Sequence, residues 1–318
     1  MKRRIALFLS ALMLMLMFAG CSAAPSEDPG EDPGVTAKED AVCPLESGDN
    51  IHTIAFVSDT QRWSGSTFDA VFDSIVADSG KYNIEYVVHT GDIIQEGGDP
   101  EAKWEAAKAA ISKLDGKIPY GILAGNHDQV DGSDNPFEVY SKYFGDECYS
   151  GRDYEVASYE NCRAHAQLVT IGSTDFVFVF ISYGPNGECI KFANEVFAKY
   201  PDRVGVLCTH EYLTTDLELS DMGEYMLKKI VEQSENVKMV LCGHESGAGC
   251  YTITTFDGRQ VVQILANYQD ANNEGTILYL QINEETGKLE GISYSPVTNS
   301  DEGYRDSDAD RFTADITW

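Results

Sequence analysis

Five short apolar runs, each ending in a residue that can hold a metal ion, constrain this chain more than any other feature. The central one is Tyr86-Val87-Val88-His89-Thr90-Gly91-Asp92. It is apolar without alternation, as a parallel strand covered on both faces is, and it runs out into a glycine and an aspartate. Open α/β sheets place their ligands beyond the carboxyl ends of such strands. The pattern recurs. Ile54-Ala55-Phe56-Val57 leads to Ser58-Asp59, and Tyr120-Gly121-Ile122-Leu123 leads to Gly125-Asn126-His127-Asp128. Val204-Gly205-Val206-Leu207 leads to Thr209-His210, and Val237-Lys238-Met239-Val240-Leu241 leads to Gly243-His244. Asp92 is in the middle, and the other strand ends are expected around it.

Between these runs the chain alternates strand and helix. A strand over 51–57 is followed by a helix near 67–78, where Phe68, Val71, Phe72 and Ile75 fall at helical spacing. A strand over 85–91 precedes a helix near 100–114, opened by Asp99-Pro100-Glu101 and closed at Asp115-Gly116. A strand over 118–124 and a helix near 136–144 follow, and residues 145–165 read as loop. Strands over 167–171 and 176–181 are joined by the turn Gly172-Ser173-Thr174. A helix near 188–200, a strand over 204–208, a helix near 221–234 and a strand over 237–242 complete the alternation. After Gly249 come strands over 251–256, 260–265, 276–282 and 288–294 with no helix between them. Parallel units followed by an antiparallel run imply two sheets packed together with helices outside. No linker interrupts 51–298, and the acidic tail over 299–318 is expected to wrap the surface or hang loose.

Carboxylate, amide oxygen and imidazole converge at the strand ends as Asp59, Asp92, Asn126, His210 and His244. Together they suit borderline divalent ions such as Mn²⁺, Fe²⁺, Zn²⁺ or Co²⁺. Asp92, at the centre, is placed to bridge two ions. Two ions about 4 Å apart would clamp a phosphoryl group and lower the pKa of a bridging water. His127 is the candidate acid for the leaving oxygen, and Asp128 the group that orients it. Taken alone, Asp59 or Asp92 is better explained as a helix N-cap after a strand. Asn126 alone could supply a left-handed turn, and a single histidine is commonly a satisfied polar residue. The joint pattern carries the inference, since three of only six histidines fall at these strand ends.

Gly91-Asp92, Gly125-Asn126-His127-Asp128, Thr209-His210 and Gly243-His244, in this order, resemble the signature of the calcineurin-like metallophosphoesterases. The resemblance extends over about residues 50–298. It implies a four-layer α/β/β/α sandwich of two mixed β-sheets flanked by helices, and a phosphoesterase that uses two divalent metal ions. Asn267-Tyr268-Gln269 and Tyr294-Ser295-Pro296 resemble the bacterial exported branch. By this resemblance Asp92 bridges the metals; Asn126, His210 and His244 complete the second site; and His127 is the acid or transition-state stabiliser. Asp59 belongs to the first site. There the chain departs from the family, with Asp59-Thr60-Gln61 where Asp-x-His is usual and Gly243-His244-Glu245-Ser246 where Gly-His-x-His is usual. The first site is thus reduced to Asp59 and Asp92 with Gln61 oxygen and Ser246 hydroxyl, Glu245 being a possible substitute. Loss of two imidazoles shifts its preference towards Mn²⁺, Mg²⁺ or Ca²⁺. The alternative is a catalytically impaired surface protein that binds metal or a phospho-ligand on the same fold.

The N-terminus reads as an export signal. Lys2-Arg3-Arg4 precedes an apolar run over 5–18 that is shorter than the roughly 20 residues of a membrane span. It ends in Phe18-Ala19-Gly20-Cys21, which resembles the lipobox of bacterial lipoproteins. That implies lipidation of Cys21 and anchoring to the outer face of the cell membrane. Residues 21–48 follow as a tether, with Glu27-Asp28-Pro29-Gly30 nearly repeated at Glu31-Asp32-Pro33-Gly34. Removing the three positive charges of residues 1–20 takes the formal charge from -29 to -32. A nucleic acid held by charge is therefore excluded, and a phosphorylated small-molecule or surface substrate must be drawn in by bound cations. Seven cysteines remain after Cys21, an odd number. Cys148 and Cys162, flanking a polar loop, are the candidate disulfide pair. Trp63, Tyr149, Tyr154, Tyr183 and Tyr212 are candidates to stack on a base or sugar, or ordinary packing aromatics.

Overall fold

A computed structural model describes residues 43–95, 100–269, 274–298 and 311–316. The export signal, Cys21 and most of the tether lie outside the described residues.

Two mixed sheets pack face to face. In the first, β1 (Ile51–Val57), β2 (Ile84–His89) and β3 (Tyr120–Ile122) run parallel. On the far side of β1 lie β11 (Ile277–Asn283), β12 (Lys288–Tyr294) and β13 (Phe312–Asp315), all antiparallel. The second sheet runs β4 (Glu155–Tyr159), β5 (Ala164–Ile171), β6 (Thr174–Ile181), β7 (Val204–Thr209), β8 (Val237–Cys242), β10 (Gln260–Asn267), β9 (Gly247–Thr254). Within it β6, β7, β8 and β10 are parallel.

The period of two along β1 and β2 explains the layering. Ile54, Phe56, Tyr86 and Val88 point inward, into a core shared with Phe178, Phe180, Val206 and Leu241 of the second sheet. Ala55, Val57 and Val87 point outward, into a core with Phe68, Val71 and Phe72 of α1 (Gly65–Tyr82), Trp104 of α2 (Pro100–Ile111) and Tyr140 and Phe144 of α3 (Glu138–Phe144). On the other side Val177, Val179, Leu207 and Val240 pack with Ile190 and Phe197 of α4 (Gly187–Lys199) and Met226 of α5 (Asp221–Lys229). Each large side chain taken out of water here contributes on the order of 2 kcal/mol. Strands buried on both faces need no polar alternation, which is why the sequence showed continuous apolar runs.

Local signals set the helix ends. Ser64 Oγ accepts the Thr67 amide at 3.1 Å to start α1, and Asn83, in the left-handed conformation, ends it. Asn186 and Ser220 cap α4 and α5 in the same way.

Five expectations change. Residues 145–165 are not all loop, because β4 forms there and pairs with β5; its half-buried residues gave no apolar run to detect. The antiparallel run after Gly249 divides between the sheets, β9 and β10 joining the second and β11 and β12 the first. The acidic tail supplies β13, and the tether ends before Leu45, which is buried beside Glu46, whose amide donates to Gln281 Oε1 at 2.9 Å. Cys148 and Cys162 are both free, as are the other cysteines among the described residues. The Cys148 sulfur lies 2.9 Å from Lys108 Nζ, while Cys162 lies against Ser158 and Asp146. Among the described residues no helix is long and apolar enough to cross a membrane.

Candidate metal centre

β1, β2 and β3 of one sheet and β7 and β8 of the other all end at the same place, and backbone bonds tie the exits together. The Asp59 amide donates to Gly91 oxygen at 3.0 Å, and the Gly243 amide to His210 oxygen at 2.9 Å. Asp59, Asp92 and His244 all have positive φ, at 53°, 54° and 73°. Non-glycine residues adopt that region sparingly, and it collects at sites that aim a side chain. The neighbouring glycines are required by space. A Cβ on Gly125 would overlap Asp92 Oδ1, and one on Gly243 would overlap Ser58 Oγ and Asp59 Oδ2.

His210 is fully buried, and its Nδ1 donates to Thr90 oxygen at 2.7 Å. That fixes the tautomer and leaves Nε2 facing inward, as in many metal-ligating histidines. Around this nitrogen stand Asn126 Oδ1 at 3.0 Å, Asp92 Oδ1 at 3.3 Å and His244 Nδ1 at 3.3 Å. Asn126 Oδ1 is also 2.9 Å from His244 Nδ1. Asp59, Asp92 and His210 offer ligand atoms that all lie within 4.8 Å of one another.

The donors also pass a test on unpaired atoms. Asp59 Oδ1 and Gln61 Oε1 are buried without a hydrogen-bond partner. Such orphaned oxygens are costly in a folded protein, and a cation between them removes the cost. Asp59 Oδ2 accepts from Ser58 Oγ at 2.6 Å and from the His244 amide at 3.1 Å, so its other oxygen is left for a ligand. Gln61 gives its Nε2 hydrogens to Asp92 Oδ2 at 3.1 Å and Gln269 Oε1 at 2.9 Å, which turns Oε1 the other way.

Electrostatics agree. Burial pushes Asp59 up to about 7, and the Asp92 charge adds to this. Burial opposes charge on His210, but the hydrogen bond and charge of Asp92 prevail and raise it to about 9. Burial raises Asp92, yet its bonds to His210 and the His127 amide hold it below the usual carboxylate range. Burial and then the charge of His210 lower His244, which favours its neutral form. A buried set this rich in anions and lone pairs suits a divalent ion.

His127 stands at the rim with its side chain 31 % exposed. Its amide donates to Asp92 Oδ1 at 2.9 Å, its Nδ1 lies 3.3 Å from Gln95 Nε2, and its Nε2 lies 3.9 Å from Asp92 Oδ2. Asp128 takes a different part from the one expected. Its oxygens accept the amides of Ile93 at 2.9 Å, Ile94 at 3.2 Å and Gly125 at 2.8 Å. A carboxylate saturated by backbone amides braces two loops, so it holds the Asp92 loop to the Asn126 loop rather than orienting the imidazole. Ser246 is half-buried on the loop after His244, where its carbonyl accepts from Thr215, and Glu245 is exposed. Of the aromatic candidates only Tyr183 is in ring contact with the centre, 5.8 Å from His210 and 5.5 Å from His244. Tyr149 and Tyr212 are buried in the packing.

A sixth strand end was missed. β10 delivers Asn267, whose Nδ2 donates to His244 oxygen at 2.9 Å, and Gln269, which holds Gln61. β10 runs parallel to β8, and assigning it to an antiparallel run concealed that its end faces the same way.

The family model for calcineurin-like phosphoesterases matches residues 52–247. This chain belongs to that family. The match takes in all five strand ends. The protein YvnB of Bacillus subtilis (strain 168) is 35% identical over 271 residues, covering 81% of this chain; the chain spans only 21% of that longer protein. A dimetal phosphatase from Danio rerio shares the fold, with a TM-score of 0.53 at 12% identity over 77% of this chain and 96% of that one. GAP50, the anchor in the inner membrane complex of Plasmodium, superposes with a TM-score of 0.49 at 12% identity, over 84% and 88% of the two chains. The two-sheet α/β architecture is that of metallophosphoesterases, and the family is one of metal-dependent phosphoester hydrolases.

Proposed function

We propose that this chain is an exported, lipid-anchored phosphoesterase that hydrolyses phosphomonoesters or phosphodiesters, with an intact second metal site and a weakened first one. One observation carries it: Asn126 Oδ1, Asp92 Oδ1 and His244 Nδ1 stand 3.0–3.3 Å from the buried His210 Nε2, and Asn126 Oδ1 is 2.9 Å from His244 Nδ1. Asp92, Asn126, His210 and His244 would hold the second ion. Asp59, Asp92 and Gln61, with the Ser246 hydroxyl as a further donor, would hold the first. When bound, the ions supply Lewis-acid polarisation of the phosphoryl oxygens and a water of lowered pKa.

The chain's own groups do the rest. An amide nitrogen only donates, so Gln95 Nε2 makes Nδ1 of His127 the acceptor and leaves the hydrogen on Nε2. That hydrogen is on the side of Asp92 Oδ2 and is available to the leaving oxygen. The His127 amide fixes the Asp92 carboxylate, and Gln61 holds its second oxygen. With an amide oxygen in place of an imidazole, the first site favours Mn²⁺, Mg²⁺ or Ca²⁺ over Zn²⁺. Lys2-Arg3-Arg4 and the Cys21 motif support export and anchoring, which puts the substrate outside the cell.

His127→Ala is the test. Metal-dependent hydrolysis should fall by about 10²-fold or more while metal content is unchanged. Wild-type protein that binds metal and turns over neither ester class would instead make it a binding protein, with Gln61 in place of an imidazole as the reason.

A further inference from the structure

The β4–β5 hairpin carries a second cluster of metal-binding side chains, and none of them belongs to the strand-end centre. Glu155 opens β4, His165 follows the start of β5, and Cys162 is in the connection between them. Glu160, Asn161 and Cys162 have positive φ in succession, at 47°, 53° and 65°, and the Cys162 thiol is fully buried. Ligand atoms of Glu155, Cys162 and His165 all lie within 4.8 Å of one another.

His165 supplies the decisive geometry. Its ring is fully buried and stacked on Tyr149 at 5.0 Å and on Phe180 at 4.6 Å. Its Nε2 is 2.8 Å from Ile122 oxygen, and a carbonyl only accepts, so Nε2 carries the hydrogen. In a neutral ring Nδ1 then presents a lone pair to Glu155, whose two oxygens stand 3.2 and 3.3 Å away. A lone pair facing a carboxylate at that distance needs a cation between them. A proton would satisfy His165 and Glu155 and leave the thiol with long contacts alone, to Asp146 Oδ1 at 3.4 Å and Ser158 Oγ at 3.7 Å. A metal ion uses all three. Asp146 Oδ1, 3.4 Å from Cys162 Sγ and on an exposed residue, offers a fourth oxygen and a way in from solvent.

We propose that Glu155, Cys162 and His165, with Asp146 as the fourth donor, form a structural site for a zinc-class ion that pins the β4–β5 hairpin to the end of β3. Thiolate, imidazole and carboxylate in one donor set select Zn²⁺, Co²⁺ or Fe²⁺ over Mg²⁺ or Ca²⁺. The Ile122 carbonyl orients the imidazole from behind, as outer partners of metal-bound histidines do. Burial, then the charge of Glu155, push the Cys162 thiol up, so without metal it stays protonated and inert. Binding forms the metal–sulfur bond and releases that proton to solvent. The site stands or falls independently of the proposed hydrolase activity.

Cobalt(II) is the probe, added to the reduced full-length protein. The strand-end centre contains no sulfur donor, so thiolate-to-cobalt absorption in the near ultraviolet reports on the hairpin alone. Wild type and Cys148→Ser should show this absorption. Cys162→Ser should lose it, while the weaker visible bands of cobalt at carboxylate and imidazole ligands remain. Glu155→Gln, which keeps the thiol, should need at least about tenfold more cobalt to reach the same absorption, and it gives the answer if Cys162→Ser does not fold. No thiolate absorption in wild type at saturating cobalt overturns the proposal. So does absorption that persists in Cys162→Ser, or an unchanged cobalt requirement in Glu155→Gln.

Discussion

Asp59→Asn should affect this protein in opposite directions with and without metal. The Asp59 carboxyl is fully buried and has a pKa of about 7 in the metal-free fold against 3.8 in the unfolded chain. A group raised in the folded state contributes stability that is complete below pH 3.8 and lost as pH rises through about 7. Above that, forcing the carboxylate to ionise without a cation costs about 4 kcal/mol, at 1.36 kcal/mol per pKa unit. The amide removes the charge and keeps an oxygen for Ser58 Oγ and the His244 amide. Its nitrogen then occupies the position of the orphaned Oδ1, where an unsatisfied group costs about 1–3 kcal/mol. The net expectation at pH 8 in chelator is a stabilisation of about 1–3 kcal/mol. For a domain of this size that raises the melting temperature by several degrees, at about 2–4 °C per kcal/mol. At pH 5 the gain should shrink by more than half. In Mn²⁺ the order reverses, because wild type gains binding free energy that the variant has lost. Paired thermal melts in chelator and in Mn²⁺, at pH 5 and pH 8, read all four conditions. A variant less stable than wild type in chelator at pH 8, or one with the same advantage at both pH values, would refute the assignment of Asp59 as a ligand held at a charge cost.

Other consequences can be checked with simple variants. Burial lowers His89 to about 3, and the ring sits neutral between Thr60 Oγ1 at 3.0 Å and the Gly91 amide at 3.1 Å. A base depressed in the fold contributes stability that is present above pH 6.5 and lost as pH falls towards 3, by roughly 4–5 kcal/mol across the window. Urea unfolding in chelator between pH 6.5 and 4 should show a shallower pH slope for His89→Gln than for wild type. Gly243→Ala should cost about 1–3 kcal/mol in the same assay and lower metal content, because its Cβ displaces Asp59. Gly187→Ala is the control, since a Cβ there meets nothing within 4 Å, and it should change neither.

The sandwich and most of the side chains that meet at its strand ends were legible in the sequence for one physical reason. A strand buried on both faces is apolar throughout, so the residue where it meets the site is marked by the change of character. Val57 to Asp59, His89 to Asp92 and Cys242 to His244 all carry that mark. β4 carries none, because Glu155–Tyr159 lies at the sheet edge and is half exposed. Asn267 and Gln269 follow a strand as apolar as the others, but strand direction is set by pairing with β8, which no local signal encodes. Asp128 was misassigned because sequence proximity to His127 suggested a side-chain partner, while its oxygens go to amides 34 and 35 residues earlier in the chain. The orphaned oxygens of Asp59 and Gln61 depend on hydrogen bonds made across the fold and have no sequence signature.

The central claim is a dinuclear hydrolytic centre that still works with Gln61 in place of an imidazole. Elemental analysis of protein loaded with Mn²⁺, combined with hydrolysis of nitrophenyl phosphate and bis-nitrophenyl phosphate, tests it most directly. The readout is taken on the wild-type protein, with Glu155→Gln loaded in parallel to subtract any ion held at the hairpin. Two ions per chain and turnover of at least one ester are expected. One ion or none, with neither ester hydrolysed, would contradict it.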